Sequence, residues 1–285
     1  MTTPFAEVIG DPVAQSKSPV IHGFWLNQLG IDADYRATQV TEPELANYLA
    51  DRRADPDWRG CNVTMPLKQA IIPHLDHVAG PADIIGSVNT VTRDGDGRLV
   101  GTSTDGAGFL EPLRKQLETP HLFRMARIIG AGGAARAIAH ALAKKNFTLV
   151  IAARRPEQAQ DVVGQLPGGA QHHVVSLDHF SAPTDFAFDD RQGLLDLVVN
   201  ASPLGMRGKA PLAFDWTHAP PGAIAYDIVT DPLDTEFLQF AREAGHETID
   251  GLAMLIGQAG AAFRLFFGEN PPRQHDAELR ALIAA

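Results

Sequence analysis

One stretch constrains this chain more than any other. Gly130-Ala131-Gly132-Gly133-Ala134-Ala135-Arg136 follows directly on the apolar run Met125-Ala126-Arg127-Ile128-Ile129. It opens an Ala-rich stretch, Ala134 to Lys145, that lacks proline and holds a single β-branched residue, Ile138. A bare G-x-G-x-x-A match is weak, but a strand before it and a helix after it make a dinucleotide-binding turn. In that geometry the first glycine makes the tight turn and the second lets backbone approach a pyrophosphate. The small third position keeps helix and strand close, and the helix N-terminus faces the phosphates. A domain's length of chain precedes the turn, so the nucleotide-binding module is the second one built.

The next strand indicates which dinucleotide. Thr148-Leu149-Val150-Ile151-Ala152-Ala153 is apolar and β-prone and ends at Arg154-Arg155. An NAD site places an acid roughly 20 residues past the glycines, to accept from the ribose 2′-hydroxyl. Here two guanidinium groups stand instead, and a guanidinium binds a 2′-phosphate bidentately where a carboxylate would repel it. Arg154 and Arg155 therefore favour NADP over NAD.

At 285 residues the chain is long for one core, so two domains are expected. The boundaries read as 1–105 plus 252–285 for a substrate-binding, catalytic domain and 106–251 for the dinucleotide-binding domain. A net charge of −10 with no Lys/Arg-rich run argues against nucleic acid as a partner. The single cysteine, Cys61, rules out an internal disulfide and reads as core. No apolar stretch approaches the ~18 residues of a membrane span, and no signal peptide is visible, so a cytoplasmic protein is expected. The eleven histidines are scattered without metal-ligand spacing, and no metal site is expected. The partner is a small molecule, and the chain is a monomer or homodimer.

The first module alternates strands and helices. Glu7 to Gly10 reads as a strand, and Ser18 reads as the cap of a helix from Pro19 to Leu29 that ends at Gly30. Tyr35 to Val40 is a strand, and Thr41-Glu42-Pro43-Glu44 is a capping box for a helix to about Arg53. Arg59 to Val63 is a strand, followed by a short helix from Pro66. Val88 to Thr92 and Leu99 to Gly101 pair around Asp94-Gly95-Asp96-Gly97. The fold class is α/β, an N-terminal domain with a mostly parallel sheet plus a Rossmann domain. The Rossmann strands are Ile128-Ile129, Leu149-Ile151, Val174-Val175, Leu197-Val199, Ala223-Ile228 and Glu247-Ile249. Asp178 to Arg191 reads as a surface loop. The apolar helix Leu252 to Phe267 is expected to pack between the two domains.

Three polar clusters lie in first-module loops where strands end, which is where open α/β sheets bind ligands. Ser16-Lys17-Ser18-Pro19 sets two hydroxyls at a helix N-terminus, an anion or polyol site. In Asn62-Val63-Thr64-Met65-Pro66-Leu67-Lys68, Asn62 and Thr64 share one face of a strand end, and Lys68 can reach back into the same pocket. The third cluster joins Ser87-Val88-Asn89-Thr90 to Ser103-Thr104-Asp105-Gly106. A carboxylate beside Lys68 would hold its ammonium protonated and aimed, as a general acid for a carbonyl oxygen requires.

Taken in order, these motifs resemble the shikimate dehydrogenase family along the whole chain. Asn-Ala-Ser-Pro-Leu-Gly-Met at 200–206 and Gly251-Leu-x-Met-Leu-x-x-Gln258 complete the likeness. The resemblance implies that Ser16, Ser18 and Thr64 hold a substrate carboxylate and that Asn62, Asn89, Asp105 and Gln258 bind ring hydroxyls. Lys68 and Asp105 would be the catalytic pair and would also touch substrate. Gly130, Ala131, Gly132, Gly133, Ala134, Arg136, Arg154, Arg155, Asn200, Ser202, Gly251 and Met254 would contact NADP. The implied reaction is the reversible reduction of 3-dehydroshikimate to shikimate by NADPH, in chorismate and aromatic amino-acid biosynthesis.

The chain departs from the family pattern in three places. Val229-Thr230-Asp231-Pro232 replaces Val-Tyr-x-Pro, Ala153-Arg154-Arg155 replaces Asn-Arg-Thr, and Ser103 stands where Asn is frequent. Thr230 in place of a phenol keeps a quinate/shikimate enzyme of dual specificity, one using NAD, as an alternative. A non-catalytic NADP-binding regulator is the alternative from another class, and the intact Lys68 and Asp105 argue against it.

Overall fold

The computed structural model describes residues 3–186, 188 and 193–284. The chain forms two compact units, Met1–Gly108 with Ile256–Ala285, and Phe109–Leu255. The first contains β1 (Phe5–Gly10), β2 (Asp34–Gln39), β3 (Trp58–Val63), β4 (His77–Val78), β5 (Thr90–Arg93) and β6 (Leu99–Thr102). Their order across the sheet is β2-β1-β3-β5-β6-β4. β1 runs parallel to β2 and β3, and β4 runs parallel to β6, whereas β5 is antiparallel to β3 and β6. The antiparallel part is the expected hairpin: Asp94 Oδ1 accepts from the backbone N–H groups of Asp96 and Arg98, and Gly97 takes φ +81°.

Alternation sorts the strand side chains onto two faces. Phe5, Ile9, Cys61, Val63 and Val91 join Leu45 and Leu49 in one core, with Cys61 fully buried as expected. Glu7 lies on the same face of β1 with no exposed surface. A charge so placed needs partners, and Thr38, Tyr48 and Arg52 all donate to its carboxylate.

Two expectations about helix starts turn out differently. Thr41 and Glu44 do form the capping box, but Glu42–Glu44 is a 3₁₀ turn and the α-helix runs Leu45–Ala54. Ser18 is not a cap. The helix Ser18–Leu29 already includes it, Lys17 holds the cap position without a side-chain bond, and the Ser18 N–H donates to Ser16 Oγ at 3.3 Å. The Ser18 side chain is buried near the Tyr35 phenol. Gly30 ends the helix at φ +63°, as read.

The second unit contains β7 (Phe123–Ile129), β8 (Thr148–Ala153), β9 (His173–Ser176), β10 (Leu194–Asn200), β11 (Ile224–Asp227) and β12 (Glu247–Ile249). All five pairings are parallel, in the order β12-β11-β10-β7-β8-β9. This is the doubly wound order, and its direction reverses between β7 and β10, the switch point at which such sheets bind ligands.

Part of the stretch read as a surface loop behaves otherwise. Leu177–Phe180 is a 3₁₀ turn, and Phe180 packs into the core with Val198, Phe214 and Phe237 because that face of the sheet needs an apolar cover there. Positions 187 and 189–191 of the stretch lie outside the described residues. The long apolar helix is present as Gly251–Phe267, and its residues from Ile256 onward belong to the first unit.

Candidate active site and cofactor cradle

In the first unit, β1 and β3 are neighbours with Ile9 opposite Val63, so the loops that leave them emerge side by side. The loop after β1 carries Ser16 and Ser18, and the loop after β3 carries Thr64 and Lys68. Thr64 N–H donates to the Ile9 oxygen at 2.9 Å, and Asp11 N–H donates to the Met65 oxygen at 3.2 Å. Gly10 is what lets the two loops approach: a Cβ there would stand 2.5 Å from Thr64 Cγ2 and 2.9 Å from the Met65 oxygen.

Lys68 and Asp105 meet. Lys68 Nζ donates to Asp105 Oδ2 at 2.5 Å, with side chains 16 % and 5 % exposed. Asp105 opens the helix Asp105–Leu110, and Lys68 lies on the short helix Leu67–Ala70, whose Lys68 oxygen accepts from Val88 N–H at 2.8 Å. A lysine so held presents a proton at a fixed point and carries a counter-charge that stays in place.

Asn89 binds Asp105 from the other side. Its Nδ2 donates to Asp105 Oδ1 at 2.8 Å and to Thr104 Oγ1 at 2.9 Å, with Gln258 Oε1 at 3.3 Å. Its Oδ1 accepts from Thr104 N–H at 2.8 Å and from Thr90 Oγ1 at 2.9 Å. Gln258 is thus brought to the same cluster from the far end of the chain.

Asn62 is placed differently from a residue free to bind a ring hydroxyl. Its Oδ1 accepts from the Tyr35 hydroxyl at 2.6 Å, and its Nδ2 donates to the Asn89 oxygen at 3.2 Å and to Thr90 Oγ1 at 3.1 Å. Both amide hydrogens are engaged within the protein, which leaves a lone pair on Oδ1 for any ligand. Tyr35 and Thr90 are contributors that sequence reading missed. Thr90 lies inside a motif already singled out, whereas nothing in the local pattern marks Tyr35.

In the second unit the glycine turn leads from β7 into the helix Gly133–Ala143. Gly130 has φ +122°, and a Cβ on it would lie 2.5 Å from the Ala201 oxygen, so this position requires glycine. A Cβ on Gly132 would meet nothing within 4 Å, so the backbone there faces open space. Gly132 caps the helix with no side-chain bond and the first turn has no acid, which leaves N–H groups free to face phosphate. Ala131 is buried beneath the turn, Ala134 and Arg136 are half-buried on the first turn, and Arg136 Nε is an enclosed donor without a partner among the described residues. Ala135, the small third position, is in the core. Arg154 and Arg155 are exposed at the end of β8. These features fit a phosphorylated dinucleotide.

The remaining candidates have structural work of their own. Asn200 Nδ2 donates to the Leu204 oxygen and to Asp227 Oδ1, and its Oδ1 accepts from the N–H and hydroxyl of Ser202. Burial raises the Asp227 carboxyl, while donors from Val229, Thr235 and Asn200 oppose that shift. Gly251 is a packing glycine, since a Cβ would stand 2.2 Å from the Val229 oxygen, and Met254 belongs to the core with Tyr226. A cavity of about 370 Å³, lined by Phe123, Met125, Arg127, Val150 and Phe180, opens against the first half of β7, away from the glycine turn that ends it. Among the described residues no three His, Cys, Asp or Glu side chains are grouped to hold a metal, and no helix is long and apolar enough to cross a membrane.

Comparison with known proteins adds a further set of findings. Residues 8–91 match the family model for the shikimate dehydrogenase substrate binding domain. The chain is 49 % identical to a shikimate dehydrogenase (NADP(+)) of Sphingopyxis alaskensis, over 99 % of this chain and 98 % of that protein. It is 39 % identical to one from Mesorhizobium japonicum, over 98 % and 95 %. The fold matches a crystal structure of shikimate 5-dehydrogenase from Thermus thermophilus in complex with NADP(H) and shikimate. That match has a TM-score of 0.82 and 33 % identity, and it covers 98 % of this chain and 99 % of the other.

Proposed function

The chain belongs to the shikimate dehydrogenase family, and on that premise we propose that it reversibly reduces 3-dehydroshikimate to shikimate with NADPH. The observation that carries this reading is the Lys68–Asp105 pair, joined at 2.5 Å and backed by Asn89. When bound, NADPH supplies a hydride to the ring carbonyl carbon. Lys68 donates its proton to the carbonyl oxygen, and a proton from water restores the ammonium. Asp105 keeps that ammonium aimed, so the charge developing on the oxygen meets a donor already in place. Ser16, Ser18 and Thr64 supply hydroxyls for the substrate carboxylate. The exposed Arg154 and Arg155 receive the 2′-phosphate, while the open backbone at Gly132 and the first turn of its helix receive the pyrophosphate. The protein works as a cytoplasmic enzyme on a small-molecule substrate.

The test is initial rates with shikimate and with quinate, each against NADP and NAD. Turnover confined to shikimate with NADP is expected. Quinate is the acid to include because Thr230 stands where the family carries a phenol. Faster turnover of quinate, or with NAD, would establish the dual-specificity enzyme. No turnover with any pair would make the chain a binding protein.

A further inference from the structure

We infer that Thr90 is a positioning residue for proton transfer, acting through Asn89 to hold Asp105 against Lys68. The inference rests on the reading of Lys68 and Asp105 as the catalytic pair. Thr90 is the first residue of β5 and has no exposed surface, so it touches no substrate. Its hydroxyl nevertheless sits in the middle of a hydrogen-bond chain whose direction is forced at every link.

The chain begins at Tyr35. Burial raises its phenol well above the ordinary range, so the hydroxyl keeps its proton and donates to Asn62 Oδ1 at 2.6 Å. That bond fixes which end of the Asn62 amide is oxygen, and Nδ2 therefore points to Thr90 Oγ1 at 3.1 Å. A hydroxyl has one proton. With Asn62 supplying the incoming bond, Thr90 directs that proton onto Asn89 Oδ1 at 2.9 Å. Asn89 must then face Asp105 with its Nδ2, at 2.8 Å from Oδ1, while Lys68 takes Oδ2. Every member donates toward the carboxylate, and bonds aligned in this way polarise one another in a dry interior.

Without the Thr90 hydroxyl, Asn89 Oδ1 keeps the donors from Thr104 but loses the one that faces it from β5. Asn62 is left with a buried N–H lacking its acceptor, and the Asn89 amide is held by fewer bonds on the β5 side. Asp105 would then shift relative to Lys68.

The experiment compares Thr90→Val, of the same shape without the hydroxyl, with Thr90→Ser, which keeps it. Shikimate oxidation by NADP is measured at saturation alongside thermal stability. Thr90→Val is expected to lower kcat about tenfold, because small displacements of a reacting group cost up to about 10² in rate. KM for NADP should stay within about twofold, and Thr90→Ser should recover most of the lost kcat. A kcat for Thr90→Val within about twofold of the unaltered protein, whatever its stability, would overturn the inference by showing that the Thr104 donors suffice. A Thr90→Ser variant as slow as Thr90→Val would overturn it too, by making the methyl group responsible. Should Thr90→Val not fold, Thr90→Ala removes the same hydroxyl with less crowding and is judged by the same criterion. Failure of the unaltered protein to oxidise shikimate with NADP would count against the proposed function instead.

Discussion

Gly10 lies against Thr64 because it has no side chain; a Cβ would come within 2.5 Å of the threonine methyl. Gly10 is not among the glycines with positive φ, so alanine would be resisted by the neighbouring loop rather than by its own backbone. Relief by rotating Thr64 about χ1 would carry its hydroxyl round with the methyl, away from a bound carboxylate. Gly10→Ala is therefore expected to raise KM for shikimate about tenfold, the worth of one hydrogen bond to a charged group. KM for NADP should not move. Adding Thr64→Ser, which removes Cγ2 and keeps the hydroxyl, should lower the shikimate KM again. A double variant no better than Gly10→Ala would show that the methyl is not the obstacle.

Lys68→Met keeps the length of the side chain and removes its proton and charge. It should lower kcat by roughly 10²–10⁴, the usual contribution of a positioned acid, with shikimate affinity by calorimetric titration far less affected. Near-normal kcat would remove Lys68 from the mechanism.

Arg154→Ala should raise KM for NADPH and leave KM for NADH nearly unchanged, because only the former carries the 2′-phosphate. Steady-state kinetics with the two cofactors decide this. Equal effects on both would assign Arg154 to a part of the dinucleotide that they share.

His22 adds a pH dependence to stability. It is fully buried, stacked on Tyr35 at 3.9 Å, and its two nitrogens have no partner among the described residues. Burial pushes its imidazole from 6.5 down to about 3. Between those values the unfolded chain binds a proton that the folded chain does not. Its contribution is therefore complete above about pH 6.5 and is lost as the pH falls toward 3, with a slope of up to about 1.4 kcal/mol per unit. Burial also lowers His140, His172 and His246, so part of the slope has other sources. Urea unfolding of His22→Phe between pH 7.5 and 5 should show a flatter decline. A slope equal to that of the unaltered protein would contradict this assignment.

The parts of the fold that follow from periodicity and backbone chemistry were legible in the sequence. The Rossmann strands announce themselves as short apolar runs, and Gly130 as the first glycine of the tight turn, which its φ of +122° bears out. The family resemblance pairs Lys68 with Asp105, and they meet although β5 lies between the two strands whose ends lead to them. What side-chain type cannot convey is the direction of a hydrogen bond. The family resemblance gives Asn62 and Asn200 ligand roles, yet each is largely engaged by protein partners. Ser18 read as a cap because serine before proline usually is one, but the helix starts one residue earlier, with Lys17 at the cap position. Gly251 is explained by a backbone that lies close in space and by nothing near it in sequence.

The contact between Asn89 and Gln258 spans 169 residues of sequence, and the whole second unit lies between them. During translation at about 5–20 residues per second, the cluster around Asn89 therefore waits some ten to thirty seconds for its last member. By then the ribosome has already released a nucleotide-binding unit with a complete sheet. The first unit is begun first and finished last, so a nascent chain can hold its cofactor fold before it has a finished place for substrate.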